Sequence, residues 1–250
     1  MTVLENTTFT YPVLRVNNRD QNIAFYETIL GFKCYYEENA IALFSGHTQT
    51  ETRFVIEESP SMRTRAVEGP KKLNTLYIKA KDPKDIEALL ASSESIVQVY
   101  RGTKAYAFEV LSPENDRIIL HAENDLESLE VCVRPELVPV PDFQGLQDFE
   151  VSGLVLNVPD STVATDFYDA IFSETLPVSI GFKEVIGPDL QLEPNVAWDL
   201  EILEFAVPKD QDMQALKTYF EDKGLSVYLD RKETVLVISD TSKIELWFKK

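Results

Sequence analysis

Asn22-Ile23-Ala24-Phe25-Tyr26-Glu27-Thr28-Ile29-Leu30-Gly31-Phe32 reads as a short helix that carries a Phe-Tyr pair, stops at a glycine and passes into an apolar strand. It follows an apolar strand, Val13-Leu14-Arg15-Val16, and a polar break, Asn17-Asn18. The phrase returns later in the chain. Leu154-Val155-Leu156-Asn157-Val158 leads to the break Pro159-Asp160, then to Val163-Ala164-Thr165-Asp166-Phe167-Tyr168 and the apolar pair Ile171-Phe172. A strand–helix–strand unit that recurs predicts a fold assembled from copies of it.

Outward from the first copy, residues 10–17 read as a strand, with Asp20 as a helix cap and Gly31 as the helix stop. Phe32–Tyr36, Ala40–Ser45 and Thr52–Glu57 read as three further strands, which completes a β-α-β-β-β module. The pattern restarts at Leu73–Ala80. Asp82-Pro83 opens a helix, and Ile96–Arg101, Ala105–Leu111 and Arg117–Ala122 follow as strands. Residues 125–147 carry Asp125, Glu127 and Glu130 and then Pro135, Pro139 and Pro141, with no strong period, and read as an acidic, extended linker. A third, degenerate module starts at Phe149, with irregular strands expected over Pro177–Asp199. A fourth runs from Leu200 through a helix opened by Pro208-Lys209-Asp210 to the strand Lys243–Phe248. The expected division is therefore 1–124, two modules facing each other; 125–147, a linker; and 148–250, a degenerate and a regular module.

The chain has 250 residues, with 24 Lys+Arg against 42 Asp+Glu and a net charge of −18. That balance repels phosphate backbones and anionic lipid, and disfavours nucleic acid and membrane surfaces as partners. Cys34 and Cys132 are the only cysteines, too few for a disulfide framework, and read as reduced thiols. Met1-Thr2-Val3-Leu4-Glu5-Asn6 has neither a basic n-region nor an apolar h-region, so the expected compartment is the cytoplasm.

Four modules that open on strand, break, Phe-Tyr and Leu-Gly-Phe resemble the vicinal oxygen chelate superfamily, which includes glyoxalase I, extradiol dioxygenases and the fosfomycin and bleomycin resistance proteins. Ser112-Pro113-Glu114-Asn115-Asp116-Arg117-Ile118 and Asp240-Thr241-Ser242-Lys243-Ile244-Glu245-Leu246 resemble its last-strand signature. More narrowly, the length, the first-module phrase, the acidic linker and the ending Glu245-Leu246-Trp247-Phe248 resemble the streptococcal CppA family, described as C3-degrading proteinases. The resemblance implies an α+β fold of paired modules curled around clefts, with complement C3 as a partner. Contact with a serum protein would require exposure by a non-classical route. A homo-oligomer is compatible with the pattern.

The chemistry that the resemblance implies can be tested against the residues. A chelate enzyme needs His and carboxylate ligands converging from the first and last strands. Aligning the modules puts those positions at Tyr11, Thr75, Gly153 and Ile202 on first strands and at Ile119 and Glu245 on last strands. Only Glu245 is of a ligating type, so the expectation is no metal and no cofactor. His47, read as a solvated residue of the Gly46-His47-Thr48-Gln49-Thr50 loop, and His121 are the only histidines. There is no His-Glu-x-x-His and no Gly-x-Ser-x-Gly, and Asp240-Thr241-Ser242 reads as a hairpin turn. No catalytic residue can be named. Strand alternation places Tyr11 and Arg15 on one face and Tyr77 on the matching face of the restarted strand, with His121 nearby. These four are the candidate cleft for a small anionic or aromatic ligand between modules one and two. Glu204 and Glu245 are the candidates for a second cleft in the C-terminal half.

Overall fold

The structure, a computed structural model, describes residues 4–173 and 176–250. Met1 to Val3, part of the segment read as free of a leader, lie outside the described residues. The first module is β1 (Thr8–Val16), α1 (Arg19–Thr28), β2 (Lys33–Glu38), β3 (Ile41–Ser45) and β4 (Phe54–Glu58). The second is β5 (Leu73–Ala80), α2 (Pro83–Ser92), β6 (Gln98–Arg101), β7 (Tyr106–Leu111) and β8 (Arg117–His121). A short strand β9 (Glu130–Cys132) follows. The third module keeps only β10 (Phe149–Val158), α3 (Ser161–Phe172) and β11 (Ser179–Glu184) as regular elements. The fourth is β12 (Leu200–Ala206), α4 (Met213–Glu221), β13 (Tyr228–Leu229), β14 (Val235–Ser239) and β15 (Glu245–Lys249). This is the expected α+β architecture.

Local chemistry starts each helix. Asn18, Asp82, Asp160 and Asp212 each stand at an N-cap, and their side-chain oxygens accept amide hydrogens of the first turn. The caps at Asn18 and Asp212 replace the expected starts at Asp20 and Asp210. After α1, Gly31 takes φ +67° and the Phe32 amide donates back to the Tyr26 carbonyl, which closes the helix. Tyr26 and Tyr168, the aromatic pairs' second members, are buried. Tyr26 packs among Phe32, Phe44 and Phe54, and Tyr168 beside Phe172 and Phe182. The Tyr168 hydroxyl donates to Asp240 Oδ2 at 3.0 Å, and the Asp240 carboxylate also accepts the Ser242 and Ile244 amides. The Asp240-Thr241-Ser242 turn is thus a structural hairpin.

The modules do not pair in chain order. The eight-stranded sheet runs β13-β14-β15-β12-β1-β4-β3-β2 and the seven-stranded sheet β11-β10-β5-β8-β7-β6-β9. Module one shares a sheet with module four through antiparallel β1 and β12, and module two with module three through antiparallel β5 and β10. The expected cleft between modules one and two is corrected by this pairing: their strands lie in different sheets.

The linker is also less free than its composition suggests. β9 adds to the edge of β6, and Leu146 is fully buried. The Leu146 amide donates to the Gly31 carbonyl at 2.7 Å, and its own carbonyl accepts from the His47 amide at 2.8 Å. A Cβ at Gly145, where φ is +124°, would stand 2.3 Å from the Gly31 oxygen, so only glycine lets these segments meet. Phe149 then stacks on Phe32 with centroids 4.2 Å apart. Asp199, just before β12, is buried and its carboxylate accepts the Lys72 and Leu73 amides that open β5. No helix among the described residues is long and apolar enough to cross a membrane.

Both sheets cross the 125–147 boundary, which predicts the outcome of limited proteolysis. A chain nicked between residues 133 and 142 should elute as one folded particle on size exclusion and separate into two fragments only in denaturant. Two fragments separating under native conditions would contradict the strand pairing.

Candidate functional site

Cross-strand register defines the two sheet faces turned away from the helices. On the eight-stranded sheet Tyr11 stands opposite Glu204, Glu204 beside Trp247, Val13 opposite Ile202, Ile202 beside Glu245, and Arg15 beside Glu57. Residues directly opposite across a ladder share a face, so this is one continuous surface. Its polar groups satisfy one another. The Tyr11 hydroxyl donates to Glu204 Oε2 at 2.7 Å, and Lys249 Nζ reaches the same oxygen at 2.7 Å. Lys249 also lies over the Trp247 ring, and Trp247 Nε1 donates to Glu245 Oε2 at 2.7 Å. Burial first, and then the negative charge of Glu204, push the Tyr11 phenol well above its ordinary range, so Tyr11 stays a neutral donor.

Arg15 is on this face but is not available to a ligand. It is 5% exposed, and its Nη2 sits 2.7 Å from Glu201 and 3.4 Å from Glu57. Four carboxylates, Glu57, Glu201, Glu204 and Glu245, face two cations here, so the surface does not attract an anion.

Tyr77 and His121 belong to the seven-stranded sheet, where Tyr77 pairs with Gly153 and Ile119, and Lys79 with His121. The four residues expected to form one cleft are therefore divided between two sheets. His121 is 1% exposed, so it is not an open cleft base. Its Nδ1 accepts the Glu123 amide, which leaves the proton on Nε2, and Nε2–H donates to Ser152 Oγ at 2.8 Å. Burial, and then the charge of Lys79, lower its pKa to about 4, so the ring is neutral at pH 7. Ser152 in turn donates to the Tyr77 carbonyl. This Ser–His pair was invisible in the sequence because the two residues lie on strands joined only by folding. His47, expected to be a solvated loop residue, is half-buried, and its Nε2 has no hydrogen-bond partner.

The metal that the fold class implies does not fit these residues. On the eight-stranded sheet the relevant positions hold Tyr11, Ile202 and Glu245, and the two nearby carboxylates are already engaged by Tyr11, Lys249 and Trp247. On the seven-stranded sheet they hold Thr75, Gly153 and Ile119. Among the described residues no group of three or more His, Cys, Asp or Glu is placed to hold a metal ion.

The buried neutral His121 has a consequence for stability. Its native pKa lies below the unfolded value of 6.5, so its contribution is complete above pH 6.5 and is lost as pH falls toward 4. Between pH 7 and pH 5 this loss is about 2 kcal/mol. Urea melts at the two pH values should show it, and His121→Gln should reduce the pH dependence by that amount.

Comparison with known proteins places this architecture. Residues 9–132 match the family model described as CppA N-terminal, and residues 146–248 match the one described as CppA C-terminal. No curated protein matches. The crystal structure of cppA protein from Streptococcus pneumoniae TIGR4 is similar, with 37% identity, a TM-score of 0.85 and coverage of 96% of this chain and 97% of that one. A candidate dioxygenase from Bacillus subtilis subsp. subtilis str. 168 shares the fold at a TM-score of 0.60 and 11% identity, covering 97% of this chain and 84% of that one. Glyoxalase I from Zea mays shares it at 0.55 and 11%, covering 98% and 92%. Two family models over nearly the whole length, on a vicinal-oxygen-chelate architecture of paired modules, make this chain a member of the CppA family.

Proposed function

We propose that this CppA-family chain is a metal-independent small-molecule-binding protein, with its ligand on the open face of the eight-stranded sheet around Tyr11, Glu204 and Trp247. The observation that carries this reading is the Tyr11–Glu204–Lys249–Trp247–Glu245 contact chain, which occupies the part of the fold where a chelate enzyme would hold its metal. Half-buried aromatic rings supply apolar walls, and carboxylates supply acceptors. The ligand favoured by this surface is planar or aromatic and uncharged or cationic. The anionic class expected from Arg15 is disfavoured, because that guanidinium is consumed by Glu201 and Glu57.

The family resemblance carries a second reading, proteolysis of complement C3. The nearest chemical support is the Ser152–His121 pair. A serine nucleophile needs a base whose Nε2 lone pair faces it and whose Nδ1–H is held by an acceptor. Here the polarity is reversed: a backbone amide donates to Nδ1, and the proton faces the serine. The buried imidazole cannot take the serine's proton in that tautomer. This supports binding over peptide hydrolysis.

A thermal-shift screen of aromatic metabolites tests the first reading. A hit should persist in EDTA and bind at least roughly tenfold more weakly to Trp247→Leu. A shift that requires a divalent metal, or none across the screen, would count against it. For the second reading, Ser152→Ala should leave any C3 cleavage by a purified preparation unchanged. Loss of cleavage in that variant would restore a serine mechanism.

A further inference from the structure

A cavity of about 460 Å³ opens near the start of β10, away from the Tyr11–Glu245 face. It collects Arg53, Lys79, Lys81 and Lys104 against only two carboxylates, Asp148 and Glu150. In a chain of net charge −18 with 24 Lys+Arg, four cations around one small cavity are a local reversal of sign.

The cations stand on well-fixed backbone. Lys79 ends the ladder that pairs with β8, and Lys81 follows it at period two, with Ala80 between them turned into the core. Lys104 sits in the β6–β7 turn, whose Lys104 and Ala105 amides are both held by Glu123 Oε1. Arg53 precedes β4, and its amide donates to the Phe44 carbonyl.

The charges are largely unspent. Among the described residues only Lys81 has a cavity carboxylate, Asp148 at 3.0 Å. Lys79 Nζ meets the neutral Asn124, and Arg53 makes one long contact, 3.6 Å, to Glu51. Lys104 faces the Glu123 carboxylate, which its own amide already engages, and Arg53 Nε is buried with no acceptor. Converging donors with an unfilled acceptor demand, Arg53 and Lys79 half-buried and Lys81 and Lys104 exposed, describe an oxyanion site.

We propose that this cavity binds a small doubly charged oxyanion, a phosphate monoester or a dicarboxylate, through Arg53, Lys79, Lys81 and Lys104. The Arg53 guanidinium presents its fork to two oxygens, and the ammonium groups close around the remaining charge. This site is separate from the aromatic face and does not depend on it.

Calorimetry at constant ionic strength tests the proposal with two probes, inorganic phosphate and succinate, which separate the two sources. At least one should bind with a dissociation constant below about 1 mM. Arg53→Gln and Lys104→Gln should each weaken it by roughly tenfold, with melting temperatures close to the parent's, whereas Lys243→Gln, remote from the cavity, should leave it unchanged. No heat from either probe at 10 mM, or equal weakening by Lys243→Gln, would overturn the proposal. An aromatic ligand that binds while neither anion does would leave the proposed function standing and this site refuted.

Discussion

The antiparallel pairing of first strands, β1 with β12 and β5 with β10, builds both sheets and sets every cross-strand neighbour between modules. A two- or four-stranded module alone has an edge of unpaired backbone groups on its first strand. Joining two first strands removes both edges at once and makes one wide sheet. Because the partners come from opposite halves of the chain, each sheet is built from both halves. The buried Asp199 carboxylate reinforces this by accepting amides at the start of β5 from a position just before β12. The Phe32–Phe149 stack joins the first and third modules at the other end of β5, where Phe149 pairs with Ala80.

That pairing also decides what each face can do. It sets Glu204 opposite Tyr11 and Glu201 against Arg15, so groups that would otherwise be free to meet a ligand meet each other. A half-buried charge without a partner is costly, and the fold supplies the partner. The same logic holds at His121, where a backbone amide fixes the tautomer and burial keeps the ring neutral. The face becomes an aromatic surface whose carboxylates outnumber its cations and are held by neighbouring donors. The unspent positive charge lies elsewhere, where Arg53, Lys79, Lys81 and Lys104 converge without enough carboxylates to balance them.

Within a module the chain was legible, since the relevant forces are local. Leu73–Ala80 shows period-two alternation and is a strand over that range. Asp82-Pro83 caps and opens α2, and the Phe-Tyr pairs put Tyr26 and Tyr168 in the core. The third module's Pro188 and Pro194 fall in a stretch without regular strands, in keeping with their inability to donate to a ladder. The helix start at Asp212 instead of Asp210 shows where local signals compete, because both aspartates can cap.

Local sequence was enough to read the modules, the opening of α2 at Asp82-Pro83 and the core faces, because each follows from residue types a few positions apart. It also determined that Tyr11 and Arg15 share a face, through strand alternation. Which module pairs with which emerges only on folding, and with it the facts that Arg15 is spent on Glu201, that Tyr77 and His121 lie on the other sheet, and that Ser152 meets His121. All four first strands are apolar, so each could pair with any other by local pattern, and the partner is set by contacts far apart in the chain, such as Asp199 on the Lys72 and Leu73 amides, that no local pattern encodes.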